Sequence, residues 1–290
     1  MSIGARDIVF TRHAGARGVE WLVRSYAMFR KARMRWIAML LAYYLALLLI
    51  DLVPLIGAWL APVLKPVFAV GFLAAAWTQE RGGAPELRHL LVGFRGNLKA
   101  LLPLGVVLVL GVLISIGATA LIDGGKLIDL LFHAPPAEMD DSALAKRMQE
   151  TLAEPRVEIG MLFGALCALP TVLALWWAPA LVVFQDAGVL TALGASLRAA
   201  SANWRAILRY ALAVFFFGGM VPSFISVVIA LVLPVSMYPL VAAVLLLPYL
   251  CFFVATLHIA DYVSYRDVFH AGETLAPLAD GSVQPLGHGK

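Results

Sequence analysis

Polar and apolar positions alternate along this chain on two length scales. Six long runs carry almost no charge: Trp36 to Val53, Ile56 to Trp77, Leu101 to Ile122, Ile159 to Phe184, Tyr210 to Leu233 and Ser236 to Ile259. Each is close to or beyond the ~20 residues that cross ~30 Å of hydrocarbon at 1.5 Å per residue. Shorter stretches before alternate runs space their apolar residues three and four apart, as one face of a helix does. Val19, Leu22, Tyr26 and Phe29 form one stripe beside Arg24, Lys31 and Arg35. Leu87, Leu91, Phe94, Leu98 and Leu101 form a second, with Arg88, Arg95 and Lys99 off it. Leu190, Leu193, Leu197, Ala200, Trp204 and Leu208 form a third, with Arg198, Asn203, Arg205 and Arg209 elsewhere on the wheel. The pattern predicts an all-α polytopic membrane protein, its six transmembrane helices arranged as three hairpins, each preceded by a cytoplasmic amphipathic helix. Residues 1–272 read as one transmembrane domain, 123–158 as its single sizeable external loop, and 273–290 as a disordered tail rich in Gly, Pro and polar residues.

Laid over one another, the three stripes put Phe29-Arg30, Phe94-Arg95 and Leu197-Arg198 in register, with Trp36, Leu101 and Trp204 six residues past each Arg. An internal triplication produces this pattern, and so does the convergence of apolar helices entering a membrane.

Composition agrees: 62% of residues are hydrophobic and 14% charged, against ~25% charged in an ordinary soluble domain. The placement of charge adds orientation. Of the 22 Lys and Arg, seventeen lie before the first run, between the second and third, between the fourth and fifth, or after the sixth. Lys126, Lys146, Arg147 and Arg156 lie on the other side, and Lys65 is inside a run. The positive-inside rule therefore predicts an inner-membrane protein with both termini cytoplasmic. Basic helices beside an anionic leaflet gain about 1 kcal/mol per cation, which makes membrane lipids the expected partners. Topology already explains these cations, so nucleic acid is not expected. The external loop holds eight acidic and four basic residues. It reads as a solvated connector broken at Ala134-Pro135-Pro136, with a short helix over Ser142 to Leu152 started by Asp140 or Asp141. A docking site for an envelope or inner-membrane protein is the alternative.

Residues able to carry chemistry are few. There is no Gly-rich phosphate loop, H-E-x-x-H, G-x-S-x-G or C-x-x-C pattern, so neither an enzyme nor a cofactor is expected. Cys167 and Cys251 lie in apolar runs and read as small buried hydrophobes, and the histidines lack metal-ligand spacing. Lys65 is the charge that most needs explaining, at roughly 2.5 to 3.5 kcal/mol for a mid-membrane cation. It snorkels, pairs with Asp51, or marks a solute or proton pathway. The second run of each hairpin ends in polar residues: Gln79 and Glu80, Gln185 and Asp186, His258 and Asp261. These mark where helices leave lipid, with Asp186 capping the next helix, or they converge on a ring of carboxylates with His258 as proton carrier. Asp51, Lys65, His258 and Asp261 are thus the candidate intramembrane polar site. Arg30, Arg95, Asp186, Arg198, Trp204 and Arg266 are the candidate cytoplasmic interface. Pro62, Pro66, Pro170, Pro179, Pro222, Pro239 and Pro248 are expected to bend spans. Gly160-x-x-x-Gly164 and Gly111-x-x-x-Ser115 offer close-packing faces without indicating their partners.

The basic start with Phe29-Arg30, the segments Pro66-Val67-Phe68 and Phe184-Gln185-Asp186, and the closing Ser264-Tyr265-Arg266-Asp267-Val268-Phe269 resemble an uncharacterised family of proteobacterial six-span inner-membrane proteins. The resemblance spans nearly the whole chain outside the 123–158 loop and the tail. The layout is more distantly similar to the membrane domain that accompanies some glycerophosphodiester phosphodiesterases, whose catalytic domain has no counterpart here. What the resemblance implies is fold and location. Two functions remain in view, a non-enzymatic membrane protein that binds partners or lipids and, as the alternative, a small-solute transporter using kinked spans and Lys65. Oligomeric state is left open.

Overall fold

A computed structural model of the chain describes residues 8–54, 56–133, 140–234 and 236–271. The helices are α1 (Arg17–Lys31), α2 (Arg33–Asp51), α3 (Gly57–Glu80), a 3-10 turn (Leu87–Leu91), α4 (Val92–Arg95), α5 (Leu98–Asp123), α6 (Lys126–Phe132) and α7 (Asp141–Leu152). There follow α8 (Pro155–Trp176), α9 (Ala178–Phe184), α10 (Val189–Ala202), α11 (Trp204–Phe215), a π-helical turn (Phe216–Met220), α12 (Val221–Val232) and α13 (Tyr238–Phe269). No strand occurs among the described residues. Six segments are long and apolar enough to span: α2, α3, α5, α8 with α9, α11 with α12, and α13. The chain is a polytopic all-α membrane protein. The disordered tail and the break at Ala134 to Pro136 fall outside the described residues.

The spans run past the predicted apolar runs, most of all at α13, which continues ten residues beyond Ile259. Tyr262, Val263, Tyr265, Val268 and Phe269 are buried there, so tertiary contact sustains helix where hydropathy has faded. The three amphipathic stretches take three forms. The first is the single helix α1. The second breaks into the 3-10 turn and α4 before Asn97 restarts the chain by capping α5 through the Ala100 N–H. It is pressed so closely on α3 that a Cβ on Gly93 would lie 2.0 Å from the Val67 carbonyl oxygen. The third ends at Asn203, whose amide donates to the Ala199 and Thr11 carbonyls, each at 3.0 Å. Asp186 does not cap α10. Gly188 takes that position, and Asp186 adopts a left-handed φ of 50° two residues earlier.

Among the described residues the 123–158 segment holds the expected short helix, α7, and in addition α6. Asp140 caps α7 through the Ala143 N–H at 2.7 Å, as the sequence predicts. α6 has no strong sequence signal; Gly124 and Gly125 reverse the chain at positive φ, and Asp123 accepts from the Gly125 N–H at 2.7 Å.

The small-residue faces find each other across α5 and α8. Gly111 meets Thr171, Gly164 meets Ser115, and the Ser115 hydroxyl donates to the Gly164 carbonyl at 2.8 Å. Pro62, Pro66, Pro170 and Pro248 stay inside continuous helices. Pro179 follows a break at Trp177, whose N–H donates to the Ser196 hydroxyl instead. Pro222 follows the π-helical turn, where the Tyr249 hydroxyl donates to the Phe217 carbonyl. Such side chains restore the backbone bonds that hydrocarbon cannot supply. Cys167 and Cys251 are free thiols and half-buried rather than buried.

Burial is uneven. In the second span 56% of the apolar window is buried, in the fifth only 6%. Lipid solvates apolar side chains as well as protein does, so helices can splay there without penalty. Close packing concentrates at the end carrying α1, α4 and α10, around buried Trp21, Trp36, Trp77 and Trp177.

Candidate interfacial site

The polar residues of that packed end organise around Asp267. Its carboxylate is 8% exposed and accepts from Arg17 Nε and Nη2, both at 2.8 Å, and from the Trp21 indole N–H at 2.9 Å. His13 Nε2 lies 3.4 Å away, and the Thr11 N–H donates to the Val268 carbonyl at 2.7 Å. The hydrogen bonding of Arg17 to Asp267 is the main reason that its guanidinium is held charged beyond its ordinary range. The N-terminal segment and α1 are thereby buckled to the last turn of α13.

A second set of bonds holds the elbow between α1 and α2. Ala32 leaves helical geometry at φ −141°. Beneath it the Gln79 side chain accepts from the Trp36 indole N–H and donates to the Met28 carbonyl, both at 2.8 Å. Glu80 accepts from the Tyr262 hydroxyl and lies 3.7 Å from Arg266 Nε. Gln185 donates to the Tyr265 hydroxyl at 3.3 Å. Farther along the same rim, buried His89 accepts the Glu86 N–H on Nδ1 at 2.9 Å and lies 3.3 Å from the Thr78 hydroxyl, and burial lowers its affinity for a proton.

Two depressions result, sharing Lys31 and Gln79. One, of about 440 Å³, lies between α1, α3 and α13 and is lined by Arg17, Arg24, Lys31 and Arg266 together with Glu80 and Asp267. Its charges are largely matched from within. The other, of about 690 Å³, lies between the elbow and the Gly82–Pro85 loop and is lined by Arg30, Lys31, Arg33 and Arg35 with no carboxylate. All four cations are exposed, and among the described residues none makes an ion pair.

The predicted site residues are only partly brought together. Arg30 and Arg266 line adjoining depressions. Arg95, Asp186 and Arg198 stand exposed on other elements, and Trp204 is 55% exposed beneath Arg205, with 5.3 Å from guanidinium to ring. Of the intramembrane candidates, His258 and Asp261 approach to 4.0 Å, with His258 stacked 4.1 Å from the Phe72 ring. Asp51 and Lys65 are exposed and, among the described residues, pair neither with each other nor with that couple. Glu80, Asp186 and Asp261 do not form a ring: Glu80 turns to Tyr262 and Arg266, Asp261 to His258. Sequence reasoning missed Asp267 and Arg17, and it read Gln79 only as part of a polar span end. The Arg266-Asp267 pair was visible in the closing motif, but a buried carboxylate acceptor has no signature until its donors, some 250 positions away, are placed.

No family model matches the chain, and no solved structure matches it. It is similar to a probable inner membrane protein of Burkholderia thailandensis, with 28% identity over 264 residues that cover 90% of this chain and 93% of the relative. Nothing in the comparisons supports the likeness to the glycerophosphodiester phosphodiesterase membrane domain. Six membrane-length helices and this near full-length similarity describe an integral membrane protein.

Proposed function

We propose that this chain is a non-enzymatic inner-membrane protein that binds anionic lipid at the face carrying α1, α4 and α10, with both termini cytoplasmic. The observation that carries the reading is the elbow: four exposed cations within six residues, at the start of the first span, without a carboxylate partner among the described residues. Cations held at a membrane surface attract anionic headgroups by about 1 kcal/mol each. Similarity to the probable inner membrane protein of Burkholderia thailandensis supports the location. The transporter alternative needs Asp51, Lys65, His258 and Asp261 in one polar site, and no such grouping supports it. The test is thermal unfolding of the full chain in nanodiscs of phosphatidylcholine with increasing phosphatidylglycerol at low salt. Stability should rise with the anionic fraction, and the rise should shrink as salt is added. Equal stability across that series would refute the reading.

A further inference from the structure

The two adjoining depressions differ in a way that identifies a ligand. In the smaller, Asp267 answers Arg17 at 2.8 Å and Arg24 at 3.8 Å, and Glu80 answers Arg266 at 3.7 Å, so its three arginines have counter-charges within the protein and only the shared Lys31 does not. The larger has none among the described residues. Glu86, which follows Pro85 and lines a neighbouring depression with Arg35, is held by Arg88 at 2.8 Å. Four like charges lining one recess repel one another, and the fold brings them together by clamping the elbow through Gln79 to Trp36 and Met28. The opposing wall is Gly82, Gly83, Ala84 and Pro85, which contribute no long side chain and leave the space open. At about 690 Å³ the recess has room for more than one phosphate. It opens at the first turn of a membrane span, beside Met34, an apolar side chain 72% exposed.

We infer that this recess is a binding site for an anion bearing two phosphates, and that its source is the headgroup of a diphosphate lipid, with Arg30 and Lys31 on one side of the elbow and Arg33 and Arg35 on the other. The inference rests on the lipid-binding reading above and narrows it. A single phosphodiester, with one negative charge, meets a quarter of the positive charge of the four cations, whereas two phosphates meet half of it and can engage the arginines in the paired geometry that guanidinium groups favour. Met34 faces the acyl chains that a free diphosphate lacks.

The experiment uses the full chain in detergent and reads retained lipid by native mass spectrometry, with cardiolipin, phosphatidylglycerol and phosphatidylcholine as probes and inorganic pyrophosphate as competitor. Cardiolipin is expected to bind one per chain and more tightly than phosphatidylglycerol, without displacement by pyrophosphate at matched concentration. In Arg33→Gln/Arg35→Gln the affinity should fall roughly thirtyfold, since two interfacial cations each carry a factor of about five. In Arg205→Gln/Arg209→Gln, which removes two cations outside the recess, it should stay within about twofold. Both variants alter exposed side chains, and matching melting temperatures confirm their folding. Equal losses in the two variants would overturn the site while leaving general anionic-lipid binding intact. Equal retention of cardiolipin and phosphatidylglycerol would do the same. Displacement by pyrophosphate would overturn the lipid source, and no preference over phosphatidylcholine would bring down the lipid-binding reading itself.

Discussion

Replacing Asp267 by Ala removes the acceptor of three hydrogen bonds at 2.8, 2.8 and 2.9 Å. The Trp21 indole N–H, in a side chain with no exposure, is left without that acceptor, which costs about 1–3 kcal/mol. Arg17 loses both contacts to Asp267 but is 30% exposed and keeps Glu20 at 2.7 Å. Water and Glu20 therefore recover much of what breaking a fully buried pair would lose, ~3–5 kcal/mol. The expected destabilisation is about 3 kcal/mol, to be measured by denaturant titration of the full chain in mixed micelles. Asp267→Asn keeps one carbonyl for Trp21 or Arg17 and should cost about half as much. Because the Asp267 carboxylate ties α1 and, through His13, the segment before it to α13, hydrogen exchange over residues 11–24 should accelerate before the rest of the bundle opens. The double variant with Arg17→Gln should lose less than the sum of the single losses, by about 1 kcal/mol or more. A loss below ~1 kcal/mol for Asp267→Ala, or additive single losses, would refute the buckle.

Buried His89 ties the 3-10 turn to Thr78, and burial holds its proton affinity below the ordinary value of about 6.5. The unfolded ring takes a proton first, so its stabilisation is present above about pH 6.5 and is lost as pH falls below it. Melting temperature should drop between pH 7 and 5, and His89→Gln should flatten that slope; an unchanged slope would count against the assignment. Gly164→Val places a Cβ 2.6 Å from the Ser115 carbonyl oxygen and should destabilise the α5–α8 pair by about 1–3 kcal/mol, read as easier unfolding in detergent titration. Wild-type behaviour there would mean that the two helices do not meet as closely as this.

The legible part of the site was the part written locally. Arg30, Lys31, Arg33 and Arg35 are consecutive enough that their shared basic character is visible in the chain. That they line a recess depends on Gln79, which reads as an ordinary polar residue at a span end until Trp36 and Met28 are set against it. The expectation that Asp186 caps the following helix failed because the left-handed turn there hands the cap to Gly188. The continuous second amphipathic helix failed because Gly96 leaves helical geometry at ψ −151° and Asn97 restarts the chain as the cap of α5.

What the sequence by itself determined is the set of spans, since a run of some twenty apolar residues has one low-energy state in hydrocarbon, where every backbone group must bond within its own helix. It determined the amphipathic stripes too, for the 3.6-residue period is a local property. Only the tertiary structure decided which small-residue faces meet, that Asp267 and Arg17 join across nearly the whole length of the chain, and that one basic cluster has no counter-charge among the described residues while the arginines of its neighbour are paired. Helix association in lipid has no strong hydrophobic drive, so partners are chosen by close steric fit and a few polar bonds, and neither leaves a periodic mark on the sequence.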